Sequence, residues 1–294
     1  MEDRLYFKAS RLVILPGNVI LNDRLTSLRD ALLAYLQPLP SAAVAFSGGV
    51  DSAVVAQVAY LALGDRAVAV TGVSASLASG ELELAREIAR QIGIRHEVVS
   101  TEELARAGYV ANSPDRCYHC KTELYTKLTE LAPTWGVNVL LNGANLDDLG
   151  DYRPGMKAAS EFRVLSPLAE CGLNKSDVRE LARYWQLPCS DKPATPCLSS
   201  RIAYGEQVTP DRLARIDQAE VFLRELGLGE IRVRLHAGEL ARIEVPLEVL
   251  PKLAEPAMRE RITQRFKSLG FRFVTLDLQG FRSGSMNSLL SLSK

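Results

Sequence analysis

Ser47-Gly-Gly-Val-Asp-Ser52 is the stretch that most restricts how this chain can fold. It follows a short apolar run at 42–46 and opens a helical run at 51–63. A glycine pair between strand and helix allows a tight turn whose backbone N–H groups approach a ligand closely. The positive end of the following helix dipole stands behind them, so the segment reads as a phosphate cradle. Ser47 and Ser52 add hydroxyl donors, and Asp51 suits the magnesium that accompanies a nucleotide triphosphate. Neither Gly-x-x-x-x-Gly-Lys nor Gly-x-Gly-x-x-Gly occurs anywhere, which excludes the two commoner nucleotide loops. A tight turn without a ligand is the plain alternative, and the strand–turn–helix setting argues against it.

The surrounding pattern says what holds this turn. Apolar runs at 42–46, 66–71, 96–100 and 137–141 alternate with helical periodicity at 22–36, 51–63, 80–92, 123–131 and 174–186. Strands that are apolar on both faces and alternate with helices specify an α/β fold, a parallel doubly wound sheet between helical layers. The chain has 294 residues, enough for one large domain or two modest ones at roughly 150 residues each. The rhythm changes in the Pro/Ser/Cys-rich stretch 188–205, which reads as a linker. Beyond it come a helix at 210–226, two strands within 230–246, one long helix at 248–269 and a last strand at 271–278. Residues 1–204 are thus expected to form the nucleotide domain and 205–294 a smaller α+β domain.

Side-chain parity fixes the register of the second domain's hairpin. Arg232, Arg234 and His236 share one strand face, and Arg242 and Glu244 share one face of the return strand. A two-residue loop would set Arg234 against Ala241 and mix the faces. A three-residue loop, Ala237-Gly238-Glu239, sets Arg234 opposite Arg242 and Arg232 opposite Glu244, with Gly238 in the left-handed position. The basic face so formed is either solvated sheet surface or an anion site.

Composition removes several function classes. The 35 basic and 35 acidic residues balance to zero net charge, so a chain-wide basic field for gripping nucleic acid is absent, and a local patch is all that such a balance can hide. The longest apolar stretches, 12–15 and 58–63, fall far short of the ~20 residues that span a bilayer. Residues 1–18 carry mixed charge and a Pro-Gly and do not read as a signal peptide. The expectation is a soluble cytoplasmic protein that binds neither nucleic acid nor membrane. Five cysteines, unevenly spaced, do not make a disulfide scaffold. Cys171 and Cys189 read as small buried hydrophobes. Arg116-Cys-Tyr-His-Cys-Lys121 is a C-x-x-C in an expected loop just before a helix, and Cys197 is a third cysteine at the domain junction. By themselves these suit zinc, with His119 as a further ligand, or redox chemistry.

The Ser47–Ser52 loop resembles the loop of the PP-loop ATP pyrophosphatases, which adenylate an acceptor oxygen and release pyrophosphate. Asn142-Gly-Ala-Asn-Leu-Asp-Asp148 follows the last strand of the first domain, and Ser166-Pro-Leu168 with Lys175 matches that family's downstream element. The resemblance implies ATP contacts at Ser47, Gly48, Gly49, Asp51, Ser52, Gly143 and Lys175, with Val73-Ser74 beside the adenine. Joined to Gly150-Asp-Tyr-Arg-Pro-Gly155, Lys192-Pro-Ala-Thr-Pro-Cys-Leu-Ser-Ser-Arg201 and Leu276-Asp-Leu-Gln-Gly-Phe-Arg-Ser-Gly-Ser-Met-Asn287, these motifs closely resemble the LarE family, from about residue 22 to 287.

That resemblance implies an ATP- and magnesium-dependent sulfur transferase. Its substrate would be pyridinium-3,5-biscarboxylic acid mononucleotide, whose carboxylates become thiocarboxylates in nickel-pincer cofactor biosynthesis. Two sulfur sources are implied: sacrifice of Cys197 itself, or a sulfide on a 4Fe-4S cluster held by Cys117, Cys120 and Cys197. Three thiolates leave one iron open, which favours the cluster. The resemblance also places Arg201 beside the sulfur centre, Arg232 and Arg234 at the mononucleotide phosphate, and Glu220 as a metal or substrate contact, although Glu220 reads equally as a helix-surface acid. Tyr118 either stacks on the pyridinium ring or shapes its loop. Sulfide or another sulfur donor and further copies of the chain are the expected partners. A tRNA thiolase, an amidating synthetase and a zinc-bearing ATP-binding regulator are the rival readings.

Overall fold

The computed structural model describes residues 22–150, 154–282 and 285–287. Helix α1 (Asp23–Leu36) starts where the Asn22 side chain accepts from the Leu25 N–H, and buries Leu25, Leu32 and Leu36. Strand β1 (Ala42–Ala45) leads through the glycine turn into α2 (Val50–Leu63). Strands β2 (Ala67–Val73), β3 (Arg95–Ser100) and β4 (Val139–Leu141) are separated by α3 (Glu81–Ile92), a short α4 (Ala107–Val110) and the long α5 (Arg116–Trp135). Helices α6 (Pro154–Glu161), α7 (Pro167–Glu170) and α8 (Lys175–Tyr184) complete the first unit.

The four strands form a parallel sheet in the order β3-β2-β1-β4. Alternate residues serve opposite layers. Ala42, Val44, Ala67 and Ala69 pack into the core shared with α1, α2, α3 and α8, whereas Ala43, Val68 and Val70 join the core under α5 and α6. Alanines on both β1 and α2 allow the helix to lie close to the strand, which brings its N-terminus over the sheet's C-terminal edge. That edge is where α/β sheets bind ligands.

The second unit comprises α9 (Pro210–Glu225), β5 (Arg232–His236), β6 (Leu240–Glu244), α10 (Leu250–Ala254), α11 (Pro256–Ser268) and β7 (Phe273–Leu276). Its sheet is mixed, with β5–β6 antiparallel and β6–β7 parallel. The hairpin has the register expected from parity: Arg232 faces Glu244, Arg234 faces Arg242, and Gly238 has φ +72°. Leu198 and Ile202 belong to this second core, and Ile202 bridges Leu235 of β5.

Two sequence expectations need correction. Residues 248–269 are not one helix, because Glu255 is extended (ψ 137°) before Pro256, the conformation that a following proline ring favours. The C-x-x-C is not in a loop: α5 begins at Arg116, so Cys117 and Cys120 lie in its first turns, three residues apart on one face. Among the described residues no helix is long and apolar enough to cross a membrane.

Candidate active site

A cavity of about 650 Å³ opens at the C-terminal edge of the parallel sheet and runs to the face of the small sheet. Ser47, Asp51, Ser52 and Gly143 line one end, Cys117 and Lys121 its wall, and Arg232, Arg234 and Arg282 the other end.

The nucleotide end is built by backbone. Gly48 takes φ +71°, which turns the chain out of β1. Gly49 is the N-cap of α2 and offers no side-chain cap, so the helix's first N–H groups keep no side-chain partner and suit an anion. A Cβ on Gly143 would stand 2.8 Å from the Ser52 nitrogen, so only glycine lets the loop after β4 reach that helix end. The Ser47 and Ser52 hydroxyls lie 3.1 Å apart, and the Ser52 hydroxyl accepts from the Ser47 N–H at 3.2 Å. These features fit a triphosphate. Asp51 and Asp148 both face the cavity, an oxygen donor set that fits a hard cation such as magnesium. Asp51 accepts from the Lys175 ammonium at 2.5 Å and the Asn145 amide at 3.1 Å. Lys175 is delivered there by a capping box, in which Asn174 and Asp177 cap α8 reciprocally.

The cysteines come from two directions. Cys117 is exposed to the cavity and Cys120 is packed against the second core. Cys197 precedes a tight turn, Leu198–Arg201, that belongs to the second unit. Several bonds fasten this turn to α4 and α5. The Arg116 guanidinium donates to the Ser199 carbonyl at 2.8 Å and to the Asn112 side chain, and Asn112 donates to the Ala203 carbonyl at 2.8 Å. Tyr109 and Ser199 share a 2.5 Å hydroxyl contact. Burial pushes the Cys120 thiol up to about 12; Lys121 opposes this, while Cys197, Glu103 and Cys117 add to it. Burial works to discharge Arg116, yet the sulfurs of Cys197 and Cys117, together with Tyr109 and Tyr204, hold the guanidinium above its ordinary value. The three sulfurs therefore share one electrostatic neighbourhood with two cations. Among the described residues no three His, Cys, Asp or Glu side chains converge on a single-ion site. His119 instead faces Asp115, at 3.4 Å. A polynuclear cluster draws its thiolates from wider apart than one ion does, and Cys117, Cys120 and Cys197 supply the soft donor type it needs.

At the far end, Arg232 donates to the carbonyls of Ile231 (2.7 Å) and Ala194 (2.9 Å), and its guanidinium lies 5.0 Å from the Phe281 ring centroid. Its nearest carboxylate is Glu230 at 3.7 Å. Burial and the like charges of Arg201 and Arg234 lower its pKa from the ordinary value, the mark of a cation short of counter-charge. Arg234 is more fully paired, with Glu244 at 2.9 Å.

The remaining expectations resolve differently. Arg201 and Glu220 do not line the cavity; they are 1% and 0% exposed and pair at 3.1 Å. Glu220 is therefore not a helix-surface acid. It accepts from Arg201 and from the Val233 N–H, while Arg201 also donates to the carbonyls of Pro196 and Cys197. The pair positions the Cys197 segment from behind. The Ser74 hydroxyl faces Ser76 and Glu103 instead of the cavity. Tyr118 donates to Glu161 and carries Lys157 over its ring, so it faces α6. Residues 151–153, in the stretch that runs on from Asp148, lie outside the described residues. Sequence reasoning missed Arg116, Lys121, Asp148 and Phe281. The first two stood out as the charges flanking the C-x-x-C, and the other two lay inside quoted motifs, Asn142–Asp148 and Leu276–Asn287, without a role of their own.

A glycine turn at a strand's end, an uncapped helix N-terminus and a lysine–aspartate pair across from it define an enzyme of the ATP-dependent PP-loop class. In keeping with that, the family model described as asparagine synthase matches residues 26–137. The chain is 46% identical over 272 residues to an uncharacterized protein of Synechocystis sp., covering 92% of this chain and all of the other. It is 38% identical over 268 residues to the pyridinium-3,5-bisthiocarboxylic acid mononucleotide synthase of Lactiplantibacillus plantarum, covering 91% and 96%. An uncharacterized protein of Methanocaldococcus jannaschii is 34% identical over 174 residues, covering 59% and 67%. The chain belongs to the LarE family of PP-loop sulfur transferases.

Proposed function

We propose that this enzyme adenylates the carboxylates of pyridinium-3,5-biscarboxylic acid mononucleotide and exchanges one oxygen of each for sulfur carried on a 4Fe-4S cluster at Cys117, Cys120 and Cys197. The observation that carries this reading is the single cavity that joins a nucleotide bed, a cysteine of the C-x-x-C and a buried arginine pair. ATP supplies the electrophilic phosphorus, and the cluster supplies bound sulfide.

The chain's own residues do the rest. The N–H groups of α2 and the Lys175 ammonium receive the leaving pyrophosphate, whose growing charge they offset. Asp51 and Asp148 hold magnesium beside it. A substrate carboxylate oxygen bonds to the α-phosphorus as the bond to the β-phosphate oxygen breaks, and pyrophosphate departs with the electron pair. Hydrosulfide then bonds to the acyl carbon, the acyl C–O bond breaks, and AMP leaves with that pair. Arg232 fixes the mononucleotide phosphate so that the carboxylate lies toward Cys117, and Arg201 with Glu220 keeps Cys197 in place.

The test is product mass. Anaerobically reconstituted protein with ATP, sulfide and the bis-carboxylated mononucleotide should yield AMP and a product carrying sulfur in place of carboxylate oxygen, with Cys197 unchanged in mass over several turnovers. Loss of hydrogen sulfide from Cys197 after one turnover would move the sulfur source to that residue. Failure to form any thiocarboxylate would overturn the function.

A further inference from the structure

Lys121 has no role in the scheme above, although it lines the same cavity as Asp51, Cys117 and Gly143. It follows Cys117 by four residues on α5, so the two side chains share one helix face. Its stem is confined from the opposite side: a Cβ on Gly155 would stand 3.1 Å from the Lys121 Cγ. Among the described residues no carboxylate pairs with Lys121, whereas Lys175 has Asp51, Lys192 has Glu81, and Arg234 and Arg242 have Glu244. A lysine held half-buried beside cysteines, with no carboxylate to pair its ammonium, suits an anion from outside the chain.

Charge balance indicates which anion. Arg116, Lys121, Arg232, Arg234 and Arg282 face the cavity against Asp51 and Asp148. Phosphates of a nucleotide are met at the α2 end, and a mononucleotide phosphate at the arginine end. Arg116 is committed to Ser199 and Asn112. Lys121 is left between these ends, on the wall that carries the thiol.

We infer that Lys121 binds the substrate carboxylate that reacts, holding it by a charged hydrogen bond between the nucleotide bed and Cys117. This deepens the proposed function and rests on it. The ammonium is a compact donor that can follow one oxygen while the other attacks phosphorus. It selects acids over amides, since an amide presents no charge to pair.

The experiment measures binding, not turnover, by calorimetry on wild type, Lys121→Met, Lys121→Gln and Lys121→Arg. The probes are pyridinium-3,5-biscarboxylic acid mononucleotide and nicotinamide mononucleotide, which keeps the pyridinium ring and phosphate but has a single carboxamide and no carboxylate. Both neutral variants should lose roughly 10- to 100-fold in affinity for the dicarboxylate, the range for one charged hydrogen bond. Lys121→Arg should restore most of it, and the amide should bind all four proteins alike. Affinity for ATP should be unchanged, because its contacts come from β1, α2 and α8. If wild type binds the dicarboxylate and the Met and Gln variants match it within two-fold, the inference fails while the functional reading stands. If wild type itself does not bind the dicarboxylate, the functional reading fails and the inference falls with it.

Discussion

Replacing Glu220 by glutamine puts a number on the claim that this carboxylate is structural. Glu220 and Arg201 are almost wholly buried and face each other through two contacts, at 3.1 and 3.3 Å. Opposite charges at that distance attract by ~5 kcal/mol at an effective dielectric of about 20. Removing one member of a buried pair costs about 3–5 kcal/mol, because the other charge is stranded. Glutamine keeps a carbonyl oxygen for the Val233 N–H, so the expected loss is ~3–4 kcal/mol. At about 2–4 °C per kcal/mol for a chain of this size, the protein should then melt roughly 6–16 °C lower. Urea titration followed by circular dichroism measures the first figure and a thermal scan the second. Because Arg201 also holds the carbonyls of Pro196 and Cys197, Cys197 should be alkylated faster in the variant. The paired change Arg201→Met with Glu220→Leu should recover most of the stability but not the fixed position of Cys197. A surface acid would move stability by no more than about 0.5 kcal/mol. A loss below 1 kcal/mol, with alkylation unchanged, would refute the argument.

Asp51→Asn removes the partner of Lys175 and the magnesium ligand proposed above, so AMP formation should fall at least ~100-fold while iron content after reconstitution stays the same; full AMP release would remove Asp51 from the metal role. Arg232→Ala should weaken mononucleotide binding by about 1.5–3 kcal/mol, and an unchanged affinity would return that strand face to plain scaffold. Protein reconstituted without air should be brown, with Cys120→Ser and Cys197→Ser each losing most of the iron; a colourless wild type would remove the cluster. Hydrogen bonding from Arg24 holds the Asp177 carboxyl below the usual carboxylate range, so its stabilisation is present above about pH 4 and lost as pH falls through the lowered value. Arg24→Ala should therefore unfold at a higher pH in an acid titration, and an unshifted midpoint would show that the pair contributes nothing.

The fold was readable where physics is local and periodic. The parity that keeps arginines 232 and 234 apart from Val233 and Leu235 gave the hairpin register residue for residue, because a slip of one position would set Arg234 against an apolar partner and part it from Glu244. Gly48 was readable because its left-handed φ, which turns the chain out of β1 beside a helix end, favours glycine. Helix starts were less so: nothing polar and periodic announces α5 at Arg116, since Cys117 and Cys120 contribute to the helix only through contacts with a distant segment. Glu220 shows the limit most clearly. Ile216 and Leu223, four residues before and three after it, set it on the apolar stripe of α9, but the partners that let a carboxylate stay there, Arg201 and the Val233 N–H, lie elsewhere in the chain. Likewise Ser74 lies at a strand end that suits a nucleotide, but Glu103 takes its hydroxyl.

The way the sulfurs are gathered bears on how the enzyme is assembled. Cys117 and Cys120 ride on α5, whose far half packs under the parallel sheet through Tyr125 and Leu128. Cys197 rides on a turn whose next residues, Leu198 and Ile202, are rooted in the second core. Neither core alone brings three sulfurs together. What sets their spacing is the seam between them, where Arg116, Asn112 and Tyr109 bond to residues 199–203. These bonds are buried and satisfied, so breaking one leaves a stranded donor at a cost of about 1–3 kcal/mol. The seam is therefore stiff without a bound group, and it fixes the turn that carries Cys197 relative to α5. The cluster proposed above would then not need to order the loop that receives it, and most of its binding energy would go to displacing the Cys120 proton that burial holds firmly.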